Sequence, residues 1–269
     1  ILTFCYSYVY LQDRKKYLKV WAVSWGVYFT RFIFMLGFLL WQKNAFLLIG
    51  NQLASLISGT LLLYGSCLFT KKEFPKIFWG IMIAGIVWIF VSILGKFPFM
   101  LMSLPTFSFL AVIYIWTGLI FYRHSKTERK EASVIGFAFM VWGIHKADYP
   151  FLRPIAWFAP WGYLLGAALE FIVAIGLLIL YFRQTKDELL EKETTLAENE
   201  QRLLKAQKIA KVGDWNWELE SNALTWSDEI YRIFGRDPET FEVTVEVFES
   251  AIHPDDYQKF VLERETALK

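Results

Sequence analysis

Long apolar runs alternate with short polar segments over roughly the first two thirds of this chain. Seven runs stand out, at 1–11, 20–41, 45–70, 77–95, 99–122, 132–149 and 155–182. A helix needs about 20 apolar residues to cross a bilayer core, and most of the runs come close to that length. The first has only 11 residues, and is read as the later part of a spanning helix that begins before Ile1. The sixth is short as well, and Pro150 is expected to limit it. These runs predict a mainly α protein that opens with a seven-helix transmembrane bundle, residues 1–182.

The loops predict the orientation. Cytoplasmic loops collect Lys and Arg. The first loop carries Arg14, Lys15, Lys16 and Lys19, and the second only Lys43. The third carries Lys71, Lys72 and Lys76, and the fourth only Lys96. Arg123, Lys126, Arg129 and Lys130 fill the fifth, against Lys146 and Arg153 around the sixth. This alternation places the amino terminus outside and everything after Arg183 in the cytoplasm, as in a multi-pass protein of a cell inner membrane.

Charge divides the chain in the same way. Its overall net of +2 conceals +10 over residues 1–182 and −9 over 213–269. The basic loops suit anionic lipid headgroups. Their scatter over short membrane loops argues against nucleic acid as a partner and leaves the lipid bilayer as the first one. Cys5 and Cys67 fall near cytoplasmic span ends, which disfavours a disulfide, and they read as free packing residues. No cleavable signal peptide is visible.

Ionisable residues inside spans are costly and usually face each other or a cavity. Arg31 lies 12 residues inward from Lys19, and Glu170 lies 13 inward from Arg183. Near-equal depth and opposite sign make them a candidate buried pair. His145, with Lys146 and Asp148 close above, joins from the sixth span, and Asn51 and Gln52 from the third. Trp142, Tyr28 and Trp161 ring this outer polar cluster. One reading is a buried ion pair that fixes helix register. The other is a pocket for a small acidic or lipid-like ligand, with Arg31 on its head and aromatic rings along its body. Haem is disfavoured, because His145 is the sole histidine inside a span. Gly162, Gly166, Ala167 and Ala168 form a small-residue face on the seventh span, suited either to internal packing or to a homodimer seam. Trp157, Phe158, Trp161 and Tyr163, like Tyr6, Tyr8 and Tyr10, read as interfacial belts.

The stretch Gly143-Ile144-His145-Lys146-Ala147-Asp148-Tyr149-Pro150-Phe151-Leu152-Arg153-Pro154, continuing through Ala159-Pro160-Trp161-Gly162-Tyr163, resembles the sixth-to-seventh helix connection of multi-helix sensor regions. Such regions occur in bacterial membrane sensor kinases and cyclic-di-GMP signalling proteins. Physically the stretch reads as an ordered outer turn. Pro150 and Pro154 would end the helix, and Asp148 and Arg153 would pair across the turn.

Residues 183–212 read as a signalling helix. A seven-residue ladder runs Ile175, Phe182, Leu189, Leu196, Leu203, Ala210, with Leu190, Ala197 and Leu204 beside it. No Gly or Pro interrupts 177–212. The stripe is narrow, which leaves a solvated single helix or a parallel coiled coil between two protomers; the second is the expected homodimer contact.

In residues 213–269, Gly213-Asp214-Trp215-Asn216-Trp217-Glu218-Leu219 alternates with period two, a strand with Trp215, Trp217 and Leu219 on its core face. Leu224-Thr225-Trp226 supplies a second strand. Ser227 caps a short helix filled by Ile230, Tyr231, Ile233 and Phe234, and Gly235 ends it. The run Trp226-Ser227-Asp228-Glu229-Ile230-Tyr231-Arg232-Ile233-Phe234-Gly235, followed by His253-Pro254-Asp255-Asp256, resembles the S-box subgroup of PAS domains. That implies the first half of an α+β PAS fold, in a family whose members bind small molecules or act as relays. His253 reads as the cap of the helix that Pro254 begins.

No phosphate loop, nucleophile–base pair or metal-ligand spacing is present in the sequence, so no catalytic or metal-binding residue is expected and no cofactor is named. The whole resembles the input half of a membrane receptor, most simply a sensor histidine kinase. A diguanylate cyclase or phosphodiesterase is the close alternative, and a small transporter a more distant one.

Overall fold

The computed structural model describes residues 1–40, 44–127 and 131–267. Lys43, Arg129 and Lys130, counted above among the loop charges, lie outside the described residues. The chain divides into two compact units, Ile1–Thr185 and Lys186–Lys269.

The first unit contains α1 (Leu2–Asp13), α2 (Lys16–Leu40), α3 (Ala45–Phe69), α4 (Ile77–Leu94), α5 (Phe99–Thr127), α6 (Ala132–Leu152) and the first part of α7 (Ala159–Ala210). Five of these, α2, α3, α4, α5 and α7, are long and apolar enough to cross a membrane. α1 is too short, and α6 carries His145, Lys146 and Asp148 in its second half. α4 is apolar around almost its whole circumference, with Phe78, Ile89, Ser92 and Ile93 buried and Ile81, Ile83, Val87 and Val91 exposed. Such a helix suits lipid on its outer faces.

α5 and α6 make the closest contact. A Cβ on Gly118 would lie 2.5 Å from the Gly136 carbonyl oxygen, and one on Gly136 would lie 2.7 Å from that of Gly118. Two backbones can approach so closely only where neither carries a side chain. Rings then fill the space on either side of the seam: Phe121 stacks on Phe139 at 5.7 Å, and Tyr114 on Trp142 at 4.2 Å.

Two prolines lie inside helices, and one of them, Pro150, was expected to end its helix. Pro105 in α5 leaves the Leu101 carbonyl without its usual amide, and the indole Nε1 of Trp88 on α4 donates to that oxygen at 3.3 Å. Pro150 does not end α6, which runs to Leu152. In a last turn a proline forfeits a single hydrogen bond, here the one to the Lys146 carbonyl. α5 likewise continues past the expected end at 122 to Thr127, so Arg123 is helical. Arg14, Lys71, Lys96 and Lys211 follow α1, α3, α4 and α7 with φ of 53°, 54°, 54° and 51°. Basic residues take the left-handed position usually given to glycine, where their charge complements the negative end of the helix dipole.

One end of α7's membrane portion is tied to its neighbours. Tyr6 Oη donates to the Ala174 carbonyl at 2.7 Å, Tyr181 Oη to Asp13 Oδ2 at 3.1 Å, and Arg183 pairs with Glu131. The α1 and α7 ends and the start of α6 therefore share one level.

In the second unit α7 continues to Ala210, with Leu189, Leu196 and Leu203 all exposed. After it come β1 (Trp215–Glu218), β2 (Ala223–Trp226), α8 (Asp228–Ile233), α9 (Val245–Ser250) and α10 (Pro254–Ala267). The strands pair antiparallel, Trp215 opposite Trp226 and Trp217 opposite Leu224. The side-chain alternation follows the sequence pattern, but its burial does not: Trp215 is 56 % and Leu219 58 % exposed. Two strands and three short helices present too little apolar surface to cover that face. Ser227 is the N-cap of α8, but its side chain makes no capping bond; its hydroxyl accepts instead from the Asp214 amide at 3.0 Å, clamping the start of β1. Gly235 follows α8 with φ +63°, the conformation that makes glycine the favoured stop. His253 Nδ1 accepts from the Asp255 amide at 3.4 Å at the head of α10. On α9, backbone and Thr244 hydrogen bonds hold the exposed Glu246 carboxyl below the usual carboxylate range.

Trp226 is the hub here, with Phe234 stacked on it at 4.9 Å and Tyr231 edge-on at 5.4 Å. Trp226→Ala is expected to cost about 2 kcal/mol, less than a fully buried ring would. The check is faster amide hydrogen exchange across β1, β2 and α8, with exchange in α3 and α5 unchanged.

Candidate functional site

α2, α5, α6 and α7 enclose a cavity of about 440 Å³ in the first unit. Each helix contributes by its own spacing. Tyr28 and Arg31, one turn apart on α2, present the same face. His145, Lys146, Asp148 and Tyr149 come from two adjacent turns of α6. Gly162, Gly166 and Glu170, four residues apart, come from one face of α7, with Tyr163 at its edge.

Arg31 and Glu170 line the same cavity, but they form no direct ion pair. Tyr28 stands between them. Arg31 Nη2 donates to Tyr28 Oη at 3.0 Å, and that hydroxyl also faces the Glu170 carboxylate. The guanidinium carbon lies 4.5 Å from the ring centres of both Tyr28 and Phe32. Its Nε is buried and has no hydrogen-bond acceptor. Depth along two helices can be counted from sequence, but a hydroxyl interposed from a neighbouring turn cannot.

His145 joins α6 to α7. Its Nδ1 is 3.1 Å from Asp148 Oδ2, and its Nε2 is 2.9 Å from the Gly162 carbonyl oxygen. The glycine face of α7 is occupied from within the unit, because a Cβ on Gly166 would sit 3.3 Å from His145 Nε2. Asp148 is therefore engaged by His145, not by Arg153 as the turn suggested. Arg153 donates through Nε to Tyr163 Oη at 2.6 Å.

Four residues expected at the cluster, Asn51, Gln52, Trp142 and Trp161, lie off the cavity wall. Gln52 turns toward α5, its Oε1 accepting from Thr106 Oγ1 at 3.1 Å. Trp142 is fully buried behind Lys146, whose ammonium lies 5.4 Å from the indole centre. Trp161 is 65 % exposed and points away. Asn51 carries a buried Oδ1 without a hydrogen-bond partner. Conversely, Arg153, Tyr149, Tyr163 and Phe107 line the wall without having been singled out for it. The aromatic spacing around Pro150 was the available signal for Tyr149, which stacks on Phe107 at 4.0 Å.

Among the described residues no group of three or more His, Cys, Asp or Glu is placed to hold a metal ion. Cys67 is buried and Cys5 half-buried, both as free thiols. A second cavity, of about 370 Å³, lies on the tryptophan face of β1 and β2, between Trp215, Trp217, Trp226, Phe248 and Phe260.

A family model described as the PAS fold matches residues 223–269, the segment from β2 through α10. No curated protein and no solved structure matches the chain.

Proposed function

We propose that this chain is the input half of a membrane-bound signalling receptor. In this reading a seven-helix region, residues 1–182, senses a signal from the membrane or the outer side. The signalling helix, 183–212, carries it to a PAS module at 213–269. The PAS-fold match supports a signalling role, and the apolar helices suit a membrane input module. The observation that carries the proposal is α7 itself, one helix from Ala159–Ala210 that begins in the cavity wall and ends five residues before β1. A transporter has no use for such an extension.

The orientation we propose has the amino terminus outside and the PAS segment in the cytoplasm of the cell inner membrane. It is supported by the loop charges and by Tyr181 and Arg183 meeting Asp13 and Glu131 at the end richest in Lys and Arg. The output we favour is a histidine kinase. A diguanylate cyclase or phosphodiesterase could use the same input half.

A homodimer is part of the proposal. The exposed line Phe182, Leu189, Leu196, Leu203, Ala210 repeats every seven residues and would meet its own copy in register. Disulfide trapping in membranes tests this. In a Cys5→Ser, Cys67→Ala background, Leu196→Cys and Leu203→Cys should each trap a dimer under mild oxidation. Glu198→Cys, about 200° round the helix from Leu196, should not. Equal trapping at all three positions would sink the parallel seam.

A further inference from the structure

We propose that the α2–α6–α7 cavity takes an amphipathic monoanion, a single carboxylate or phosphodiester carried on an apolar body. The proposal rests on the receptor reading and names the ligand class of its sensing site.

Charge is the first argument. Arg31, Lys146 and Arg153 face the cavity against two carboxylates, Asp148 and Glu170. Asp148 is taken by His145, and Arg153 by the Tyr163 hydroxyl. Lys146 is only 8 % exposed, yet among the described residues its ammonium has no ion-pair partner or hydrogen-bond acceptor within contact distance; it lies over the Trp142 ring, with the Glu170 and Asp148 carboxylates acting on it only from further away. Arg31 adds a buried Nε–H with no acceptor. Two cations with open donors on one wall, away from bulk water, are an incomplete arrangement unless an anion joins them. Glu170, also 8 % exposed, offsets one of the two charges. A singly charged group therefore suits the site better than a doubly charged one.

Shape is the second argument. A cavity of about 440 Å³ falls in the range of small-molecule sites. Phe32, Met35, Phe107, Phe158 and Leu164 supply an apolar wall beyond the cations. Phe32 and Leu164 also reach the outer surface of the unit, where they are 42 % and 61 % exposed. An apolar chain can thus leave between α2 and α7 toward lipid while its head stays between Arg31 and Lys146. The carboxylate and the lipid phosphodiester share this chemistry, and only the source differs.

The test uses the whole chain in phosphatidylcholine nanodiscs and follows thermal unfolding. Laurate should raise the midpoint, and dodecanol, the same chain without charge, should need at least a tenfold higher concentration for an equal shift. Lys146→Met and Arg31→Met should each weaken the laurate response at least tenfold, while Lys96→Met leaves it unchanged. Lys146→Met should unfold no earlier than the parent without laurate, because it removes a buried ammonium that has no hydrogen-bond acceptor and leaves Arg31 balanced by Glu170; a lost response in it is then not a folding defect. If nanodiscs containing phosphatidylglycerol already give the raised midpoint and laurate adds nothing, the oxyanion is the lipid's. A laurate shift that persists there identifies a free carboxylate. Equal potency of dodecanol, or an undiminished laurate response in Lys146→Met, would overturn the anion assignment and leave the receptor reading standing. Laurate binding that leaves Leu196→Cys trapping unaltered would overturn the relay reading while leaving the anion in place.

Discussion

One residue inserted at Glu193 is expected to disrupt signalling in the full-length protein, and seven inserted at the same point to restore most of it. α7 is a single helix through this position, and Glu193 lies between Leu189 and Leu196. Each added residue turns everything downstream by about 100°. A single insertion therefore carries Leu196, Leu203 and Ala210 off the line set by Phe182 and Leu189. Seven residues bring the stripe back to within about 20° of its original face. The readout is downstream activity with and without stimulus, together with Leu203→Cys trapping. Equal behaviour of the two insertions would show that the connector is a passive tether. A ligand moves such a rod only by favouring one of its states over another, so the wild-type response should scale with differential affinity and not with affinity alone.

The second large effect is expected at Gly136. A Cβ there would sit 2.7 Å from the Gly118 carbonyl oxygen and 2.8 Å from the Tyr122 amide nitrogen. Both are backbone atoms, which cannot turn aside as a side chain can. Gly136→Ala is expected to destabilise by about 1–3 kcal/mol, the usual cost of overfilling a packed site. Gly136→Leu should leave no folded protein to purify. Gly80 on α4 is the control, since a Cβ there meets nothing within 4 Å; Gly80→Ala should be neutral or slightly stabilising in a helix interior. Midpoints of thermal unfolding in detergent, or recovery after size exclusion for the leucine variant, decide the matter.

The sequence made the helices legible because bilayer length and apolar run length are the same constraint. α2 to α5 and the membrane part of α7 follow the expected stretches, extended by a turn where a basic residue such as Lys16 or Arg123 still favours helix. The strand pair followed from the alternation around Trp215 and Trp217. Contacts set by a third residue were out of reach. Counting along α2 and α7 put Arg31 and Glu170 level, yet whether they touch depends on Tyr28, and nothing in the spacing assigns that hydroxyl. Gln52 was placed in the cluster but turns away from it, because Thr106 on α5 offers it a hydrogen bond. Pro150 was read as a stop, whereas a proline in a last turn costs too little to act as one.

The seams of the first unit differ in how they can yield. α5 and α6 meet backbone on backbone at Gly118 and Gly136, and a contact of that kind has no rotamers to exchange, so the pair forms a stator. α7 is fastened differently, by side-chain bonds: to α1 through the Tyr6 and Tyr181 hydroxyls, to α6 through the His145 ring, and to Glu131 at the start of α6 through Arg183. Each fastening is a single side-chain bond, which a rotamer change can break. Beside that stator α7 is the element of this unit held by latches.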